Sequence, residues 1–189
     1  MNAYIHVTAE ISKSAKIGDG SKIWHHSQIR EDSIIGKNCV IGKGVYIDQN
    51  VVVGNNVKIQ NYVSVYNGVT IEDDVLLAPN CTFTNDLYPR SLNEDWKVTP
   101  TLIKKGASIG ANSTILCGIT IGPYSMVGIG STVTNDTLPH SLMVGNPARL
   151  KNFICRCGHG LKQTRYDTFK IGFKCTQCDR KLAISFDFF

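Results

Sequence analysis

Ile23-Trp-His-His-Ser-Gln-Ile29-Arg-Glu-Asp-Ser-Ile-Ile35-Gly-Lys-Asn-Cys-Val-Ile41-Gly-Lys-Gly-Val-Tyr-Ile47 puts an isoleucine at every sixth residue. Stepping outward by six, the same position holds Ile17, Ile11 and Ile5 on one side. On the other it holds Val53, Ile59, Val65, Ile71, Leu77 and Phe83. The register then breaks and resumes at Ile103, Ile109, Ile115, Ile121, Val127 and Val133. Gly often follows this residue, as at Gly18, Gly36, Gly110 and Gly128, and four positions after it stands a small or β-branched side chain such as Ser21, Cys39, Val57 or Ser131. An amphipathic helix repeats at 3.6 and a half-buried strand at 2, so neither fits. Six describes very short strands joined by bends that Gly, Asn and Asp supply. Three such sides close a triangular coil of eighteen residues, and coils stack at the strand spacing of about 4.8 Å, each burying its neighbour. The expected fold is all-β: a parallel β-helix of hexapeptide repeats with about seven coils over residues 5–138, extruding a loop at residues 85–102 from the fifth. A long irregular loop on a rigid frame is where function concentrates.

Charge divides the chain near residue 150. Residues 1–150 carry 12 Lys/Arg against 12 Asp/Glu, whereas residues 151–189 carry 8 against 3, so the whole net charge of +5 lies in the tail. The expected domains are therefore 1–150, the β-helix, and 151–189. The N-terminus lacks the basic and apolar regions of a signal peptide, and no stretch has the roughly 18 apolar residues that cross a bilayer. A cytoplasmic protein without membrane insertion is expected.

In that reducing setting the seven cysteines are thiols or metal ligands rather than disulfides. Cys155-Arg-Cys157 and Cys175-Thr-Gln-Cys178 are two close pairs, the pattern of a structural tetrathiolate Zn2+ site. His159 could replace Cys155 as a ligand. Phe169–Phe173 reads as a hairpin and Leu182–Phe186 as a last strand, giving a zinc ribbon too small to fold without its metal. Its expected role is to cap the last coil, and nucleic-acid binding is the weaker alternative. Cys39 and Cys81 fall on inward positions, and Cys117 on a corner.

The hexad run, the segment Phe83-Thr-Asn85-Asp86-Leu-Tyr-Pro-Arg90-Ser91 and the closing Val144-Gly-Asn-Pro-Ala-Arg149 resemble the hexapeptide-repeat acyltransferases. Ile23-Trp-His-His26, Val57–Asn61, Val63–Tyr66 and Gly106–Asn112 are similar to the UDP-3-amino-glucuronate N-acetyltransferases, and related enzymes acting on dTDP-3-amino-6-deoxyhexoses share much of the same loop. The resemblance implies a left-handed β-helix and a homotrimer with active sites in grooves between coils. It also implies acetyl-CoA along the upper coils and a sugar nucleotide lower down. The implied reaction is attack of a sugar amine on the acetyl thioester, in surface-glycan (lipopolysaccharide) biosynthesis.

Acyl transfer needs a neutral amine, a stabilised oxyanion and a proton acceptor. Asn85, whose family equivalent is thought to act this way, would accept a hydrogen bond from the amine and aim its lone pair. Asp86 would be a base or ammonium partner, or simply an Asx turn opening the loop. His25 and His26, three coils below Asn85, would meet the nucleotide or carboxylate end across about 14 Å; if extended, the two point in opposite directions. Arg30 and Arg90 are the expected anion binders. For the coenzyme the expected residues are Gly110, Ala111, Gly128 and Ser131 along the pantetheine arm, with Lys104, Lys105 and Arg149 at its phosphates. His6 and His140 are read as incidental. The UDP-linked uronate is the favoured acceptor and the dTDP-linked sugar the alternative. A carbonic-anhydrase-like site lacks its histidine trio, and a non-catalytic scaffold recruiting a partner through the ribbon stands as the reading from another class.

Overall fold

The computed structural model describes residues 2–166 and 170–185. Phe169 and Phe186, expected in the tail's hairpin and last strand, lie outside them.

Every hexad in the described coils becomes a strand of two or three residues. These strands stack in three sheets, the faces of a triangular prism. The first face begins with Tyr4–Ile5 and Lys22–Ile23, the second with Glu10–Ile11 and Gln28–Ile29, the third with Lys16–Ile17 and Ile34–Ile35. Pairing within each face is parallel and in register, Ile5 with Ile23, Ile23 with Ile41 and Ile41 with Ile59. The expected parallel β-helix of about seven coils is the architecture observed.

Burial explains the period. The hexad aliphatics from Ile23 to Val133 are buried to within 1% exposure, Phe83 included, and fill the prism's axis with the inward Ser, Cys, Val and Ala that stand four positions after them. Each such isoleucine or leucine contributes about 1.5–3 kcal/mol when fully buried. The first coil has a neighbour on one side only, and Ile5 remains 44% exposed. Cys39 and Cys81 lie in this core as expected, Cys117 is buried as well, and burial pushes the Cys81 thiol up to about 12.

From Gly20 on, the bends of the coil stack carry a left-handed residue, again at every sixth place: Gly20, His26, Asp32, Asn38, Gly44, Asn50, Asn56, Tyr62 and onward. Gly, Asn and Asp dominate because that conformation suits them best. Gly110 serves a second need, since an added Cβ would lie 2.6 Å from the backbone nitrogen of Ile129 in the next coil.

The excursion is slightly shorter than expected. The third-face strand Thr101–Ile103 already pairs with Val69–Ile71, so the excursion runs over 84–100, and residues 101 and 102 belong to the helix.

On the first face the parallel stack ends at Ser141–Gly145, which turns back antiparallel as Ala148–Phe153. That last strand runs through the charge boundary at residue 150. The tail then forms a three-stranded antiparallel sheet, Leu161–Tyr166, Lys170–Cys175 and Lys181–Ser185. Its inner side buries Phe153, Leu161, Phe173 and Ile184, and Leu138 from the end of the coil stack packs on it. His140, read as incidental, ties the two parts together: its Nδ1 lies 2.9 Å from the Ile154 carbonyl and its ring stacks on Tyr124. Arg156 lies over the other partner of that stack, 4.3 Å from the Tyr124 centroid.

Candidate functional site

The prism has three vertices, and the expected site residues divide among them. Asn85 and Asp86 follow the second-face strand Thr82–Phe83, which puts them on the vertex between the second and third faces. Arg30, following Gln28–Ile29, stands on the same vertex three coils lower. His25 and His26 follow Lys22–Ile23 and stand on the vertex between the first and second faces, where Gly110, Ala111 and Gly128 also lie. Lys104 and Lys105 are on the remaining vertex. The 14 Å axial track from Asn85 to the histidines therefore does not exist within one chain; the residue that shares Asn85's vertex is Arg30.

The root of the excursion is well fixed. Thr99 N–H donates to the Asn85 carbonyl (2.9 Å), and Thr84 Oγ1 accepts from Cys117 N–H (2.9 Å). Asp86 Oδ1 accepts from Tyr88 N–H at 2.9 Å, the Asx turn held open as the alternative to a base. Among the described residues the Asn85 side-chain amide has no hydrogen-bond partner. It lines a cleft of about 350 Å³ with Asp86, Arg90, Ser91, Asn93 and Trp96. Asn93 and Trp96 were not expected there, because the excursion has no repeat from which their direction could be read. The Arg90 guanidinium uses Nη1 on the Pro89 carbonyl and is otherwise exposed.

Arg30 is already engaged. Its Nη1 lies 3.2 Å from Asp48 Oδ1 and 3.4 Å from Tyr46 Oη, and its Nε lies 3.0 Å from Glu31. Asp48 gathers this vertex: it also accepts from Tyr46 Oη (2.9 Å), Gln49 N–H (2.8 Å) and, one coil up, Asn67 N–H (3.1 Å). Partial burial works against the charged carboxylate, but those donors and the Arg30 charge outweigh it and hold its pKa below the usual aspartate value. As an anion binder Arg30 is thus occupied by protein carboxylates.

The two histidines are in a bend, not an extended segment, and His26 is the left-handed residue of it (φ 55°). His25 stacks on His6 with centroids 3.4 Å apart, so His6 is part of this vertex rather than incidental. Desolvation lowers the His25 pKa, helped by the charges of His6, His26 and Lys43. His25 borders a separate shallow cleft with Trp24, Lys43, Gln60 and Asn61.

Of the residues expected at the coenzyme, Ala111 and Gly128 are half-buried at a vertex. Ser131 is 1% exposed and accepts the Gly145 N–H (3.1 Å), because its hexad position points inward; it lines no groove. Lys104 and Lys105 are paired, Lys104 with Glu72 at 3.0 Å and Lys105 with Asp74 at 3.4 Å and Asp73 at 3.8 Å. Arg149 is exposed on the closing hairpin and donates to the Ala148 carbonyl.

In the tail the four cysteine sulfurs lie within 4.8 Å of one another. Three separations are 3.6 Å (Cys155–Cys178), 3.5 Å (Cys157–Cys175) and 3.6 Å (Cys157–Cys178). A bonded disulfide needs about 2.05 Å, whereas sulfurs about 2.3 Å from a tetrahedral Zn2+ lie about 3.8 Å apart. The donor set therefore fits a closed Zn2+ site, with Cys155 rather than His159 as the fourth ligand. Backbone N–H groups of Cys178 and Gln177 aim at the Cys175 sulfur and hold its thiol down at about 6, favouring the thiolate a metal needs.

Short parallel strands in three stacked faces, with one excursion gathering polar groups at a vertex, define a hexapeptide-repeat β-helix. The bacterial transferase hexapeptide (six repeats) family matches residues 2–49 and 50–85, and the hexapeptide repeat of succinyl-transferase matches 100–135. The chain belongs to the hexapeptide-repeat family.

Among its relatives is the dTDP-3-amino-3,6-dideoxy-α-D-galactopyranose 3-N-acetyltransferase of Aneurinibacillus thermoaerophilus, 56% identical over 62 residues, which are 33% of this chain and 32% of that protein. The chain spans about a third of the length of the curated relatives it matches first. A hexapeptide-repeat-containing acetyltransferase of Vibrio cholerae, solved with acetyl-coenzyme A, is 28% identical with a TM-score of 0.55, covering 62% of this chain and 68% of that one. PerB of Caulobacter crescentus, solved with CoA and GDP-perosamine, shares the fold at 23% identity and a TM-score of 0.50, covering 79% and 57%. Among the described residues no helix is long and apolar enough to cross a membrane.

Proposed function

We propose that the chain is an acetyl-CoA-dependent N-acetyltransferase acting on the 3-amino group of a nucleotide-linked amino sugar. The observation that carries this reading is Asn85: a fixed backbone, an unengaged side-chain amide and a polar cleft beside it. In the reaction Asn85 Oδ1 accepts one N–H of the neutral amine and turns the nitrogen lone pair toward the thioester carbonyl. The C–N bond forms, and the oxyanion is met by a backbone N–H. The C–S bond then breaks, and the amine's proton passes to the departing thiolate. Asp86, with one oxygen holding the Asx turn, serves the loop.

The acetyl-CoA-bound Vibrio relative supports the acyl donor. Asn85 and the coenzyme residues Gly110, Ala111, Gly128 and Arg149 do not share a vertex, so the site assembles from two copies in a homotrimer. Leu87, Tyr88, Leu92 and Trp96, all at least 39% exposed on the excursion, are the surface that a neighbouring copy would cover. The four cysteines hold a structural Zn2+.

Two acceptors remain in view. The Aneurinibacillus relative supports a dTDP-linked 3-amino-6-deoxyhexose, and the pairing of Arg30 suits a sugar without a carboxylate. A UDP-linked 3-amino uronate is the second reading, favoured by the exposed Arg90 in the Asn85 cleft. The test is thiol release from acetyl-CoA with both sugars, for wild type and Asn85→Ala. Turnover with one sugar, falling about 10²-fold in the variant, is expected. CoA binding without turnover on either sugar would overturn the acceptor, and absence of CoA binding would overturn the enzyme.

A further inference from the structure

The tail sheet has two unlike sides. Its inner side is apolar and packed. On its outer side Lys162 pairs directly with Lys174, and Lys174 with Lys181, so three lysines stand in one row across three strands. Directly opposed residues project to the same side with Cβ atoms about 5 Å apart. One step along, Arg165 opposes Gly172 and Gly172 opposes Ala183. A bulge between Gln163 and Arg165 keeps Arg165 on this side, since without it Arg165 would oppose the half-buried Ile171. Lys170, two residues before Gly172, joins the same face. All five cations are exposed.

Opposed like charges destabilise a sheet, and this one tolerates three in a row. Asp179, 2.9 Å from Lys174 Nζ, is the one carboxylate among the tail's described residues. The coil stack is electrically neutral, and nothing in the acyl-transfer site calls on these lysines. We propose that this face is a docking surface for an anionic lipid bilayer. It meets the plane of the headgroups as a flat grid of cations on a floor of Gly172 and Ala183. Clusters of four to eight basic residues are what hold proteins to such surfaces. Single-stranded nucleic acid fits less well, because no described side chain of this face is aromatic and bases would find no stacking platform. Adsorption without insertion follows from the absence of large apolar side chains there among the described residues.

The test is co-sedimentation of the full-length, zinc-loaded protein with vesicles of phosphatidylethanolamine and phosphatidylglycerol, against phosphatidylcholine alone. Binding to the anionic vesicles only, abolished by high salt, is expected. The double variant Lys162→Gln/Lys181→Gln should bind about thirtyfold less with unchanged zinc content and Tm, and Lys162→Glu/Lys181→Glu should not bind. No binding to anionic vesicles at low salt, or equal binding by the glutamine variant, would overturn the proposal. So would displacement of the protein from vesicles by a polyribonucleotide at lower concentration than by soluble phosphatidylglycerol headgroup polymer, which would assign the face to nucleic acid.

Discussion

Ile71 pairs in register with Ile103, thirty-two positions further along the chain, although every earlier partner on that face is eighteen away. The excursion thus adds fourteen residues to an ordinary coil and leaves the hexad phase untouched.

That relationship predicts an unusual deletion. Removing Asp86–Thr99, fourteen residues, brings Ile103 to the place an unbroken coil would give it. The shortened protein should keep its far-ultraviolet circular dichroism and a cooperative thermal transition, yet lose acetyl transfer although Asn85 remains. Removing thirteen residues instead shifts every inward side chain outward beyond the splice and should give insoluble protein. Equal behaviour of the two deletions would mean the phase is not what holds the upper coils.

Asp48 should give the lower coils an acid-sensitive joint. Its carboxylate pKa is depressed in the fold, so its contribution is present above the unfolded value of about 3.9 and lost as pH falls through the folded one. Wild type should lose Tm steeply below about pH 4, and Asp48→Ala should show less of that loss. At neutral pH the same variant should be less stable by about 1.5–3 kcal/mol, since Arg30, Tyr46 and Asn67 lose a common acceptor. Thermal melts across pH measure both.

The fold was legible because one physical requirement, an aliphatic residue facing the axis of a narrow coil, recurs at a fixed spacing. The site was less legible because vertices point outward and their partners come from other coils. Arg30 reads as a free anion binder until position 48, one coil on, is seen to be Asp. Lys104 meets Glu72 only once the insertion is counted. A column reading at intervals of eighteen would have found the first pair. It would also have found the ladders Lys37–Asn55 and Asn55–Asp73. The bend at His25 and His26 was not legible, because its left-handed place, His26, usually holds Gly, Asn or Asp. The cysteine site needed no partner information, since its four ligands announce themselves in pairs.

Metal removal should separate the two parts of the chain. Among its described residues the sheet of Leu161–Tyr166, Lys170–Cys175 and Lys181–Ser185 buries few side chains, and a small ribbon depends on its Zn2+. About one zinc per chain by elemental analysis is expected. A strong chelator, or Cys175→Ser, should open the tail to proteolysis while the coil stack keeps its amide protection. Protection lost throughout the chain would mean that the ribbon supports the last coils through Leu138 and His140 as well as covering them.

Gly110 distinguishes a structural requirement from a coenzyme contact. A Cβ there meets backbone, which cannot rotate away, so Gly110→Ala should destabilise by about 1–3 kcal/mol, as overpacking does. Ala111→Val, half-exposed on the same vertex, should leave Tm nearly unchanged and raise KM for acetyl-CoA. The reverse pattern would move the pantetheine arm from Ala111 to Gly110.

Asn85 and Asp86 can be told apart because Asp86 has a structural duty that asparagine also performs. Asp86→Asn keeps an Oδ1 acceptor for Tyr88 N–H while removing the charge and any basicity. If Asp86 only opens the loop, this variant should retain kcat within a few-fold and keep the wild-type pH–rate profile, whereas Asp86→Ala should lose activity through loop disorder. If the carboxylate takes the proton, Asp86→Asn should fall about 10²–10⁴-fold, the usual contribution of a general base, and the acidic limb of its pH–rate profile should vanish. Asn85→Ala, in contrast, should lower kcat without moving either limb, because it removes an orienting acceptor and not a titrating group. Measuring kcat against pH for the three variants thus assigns orientation and proton transfer to different residues, and a flattened acidic limb in Asp86→Asn would overturn the assignment of Asp86 to the loop.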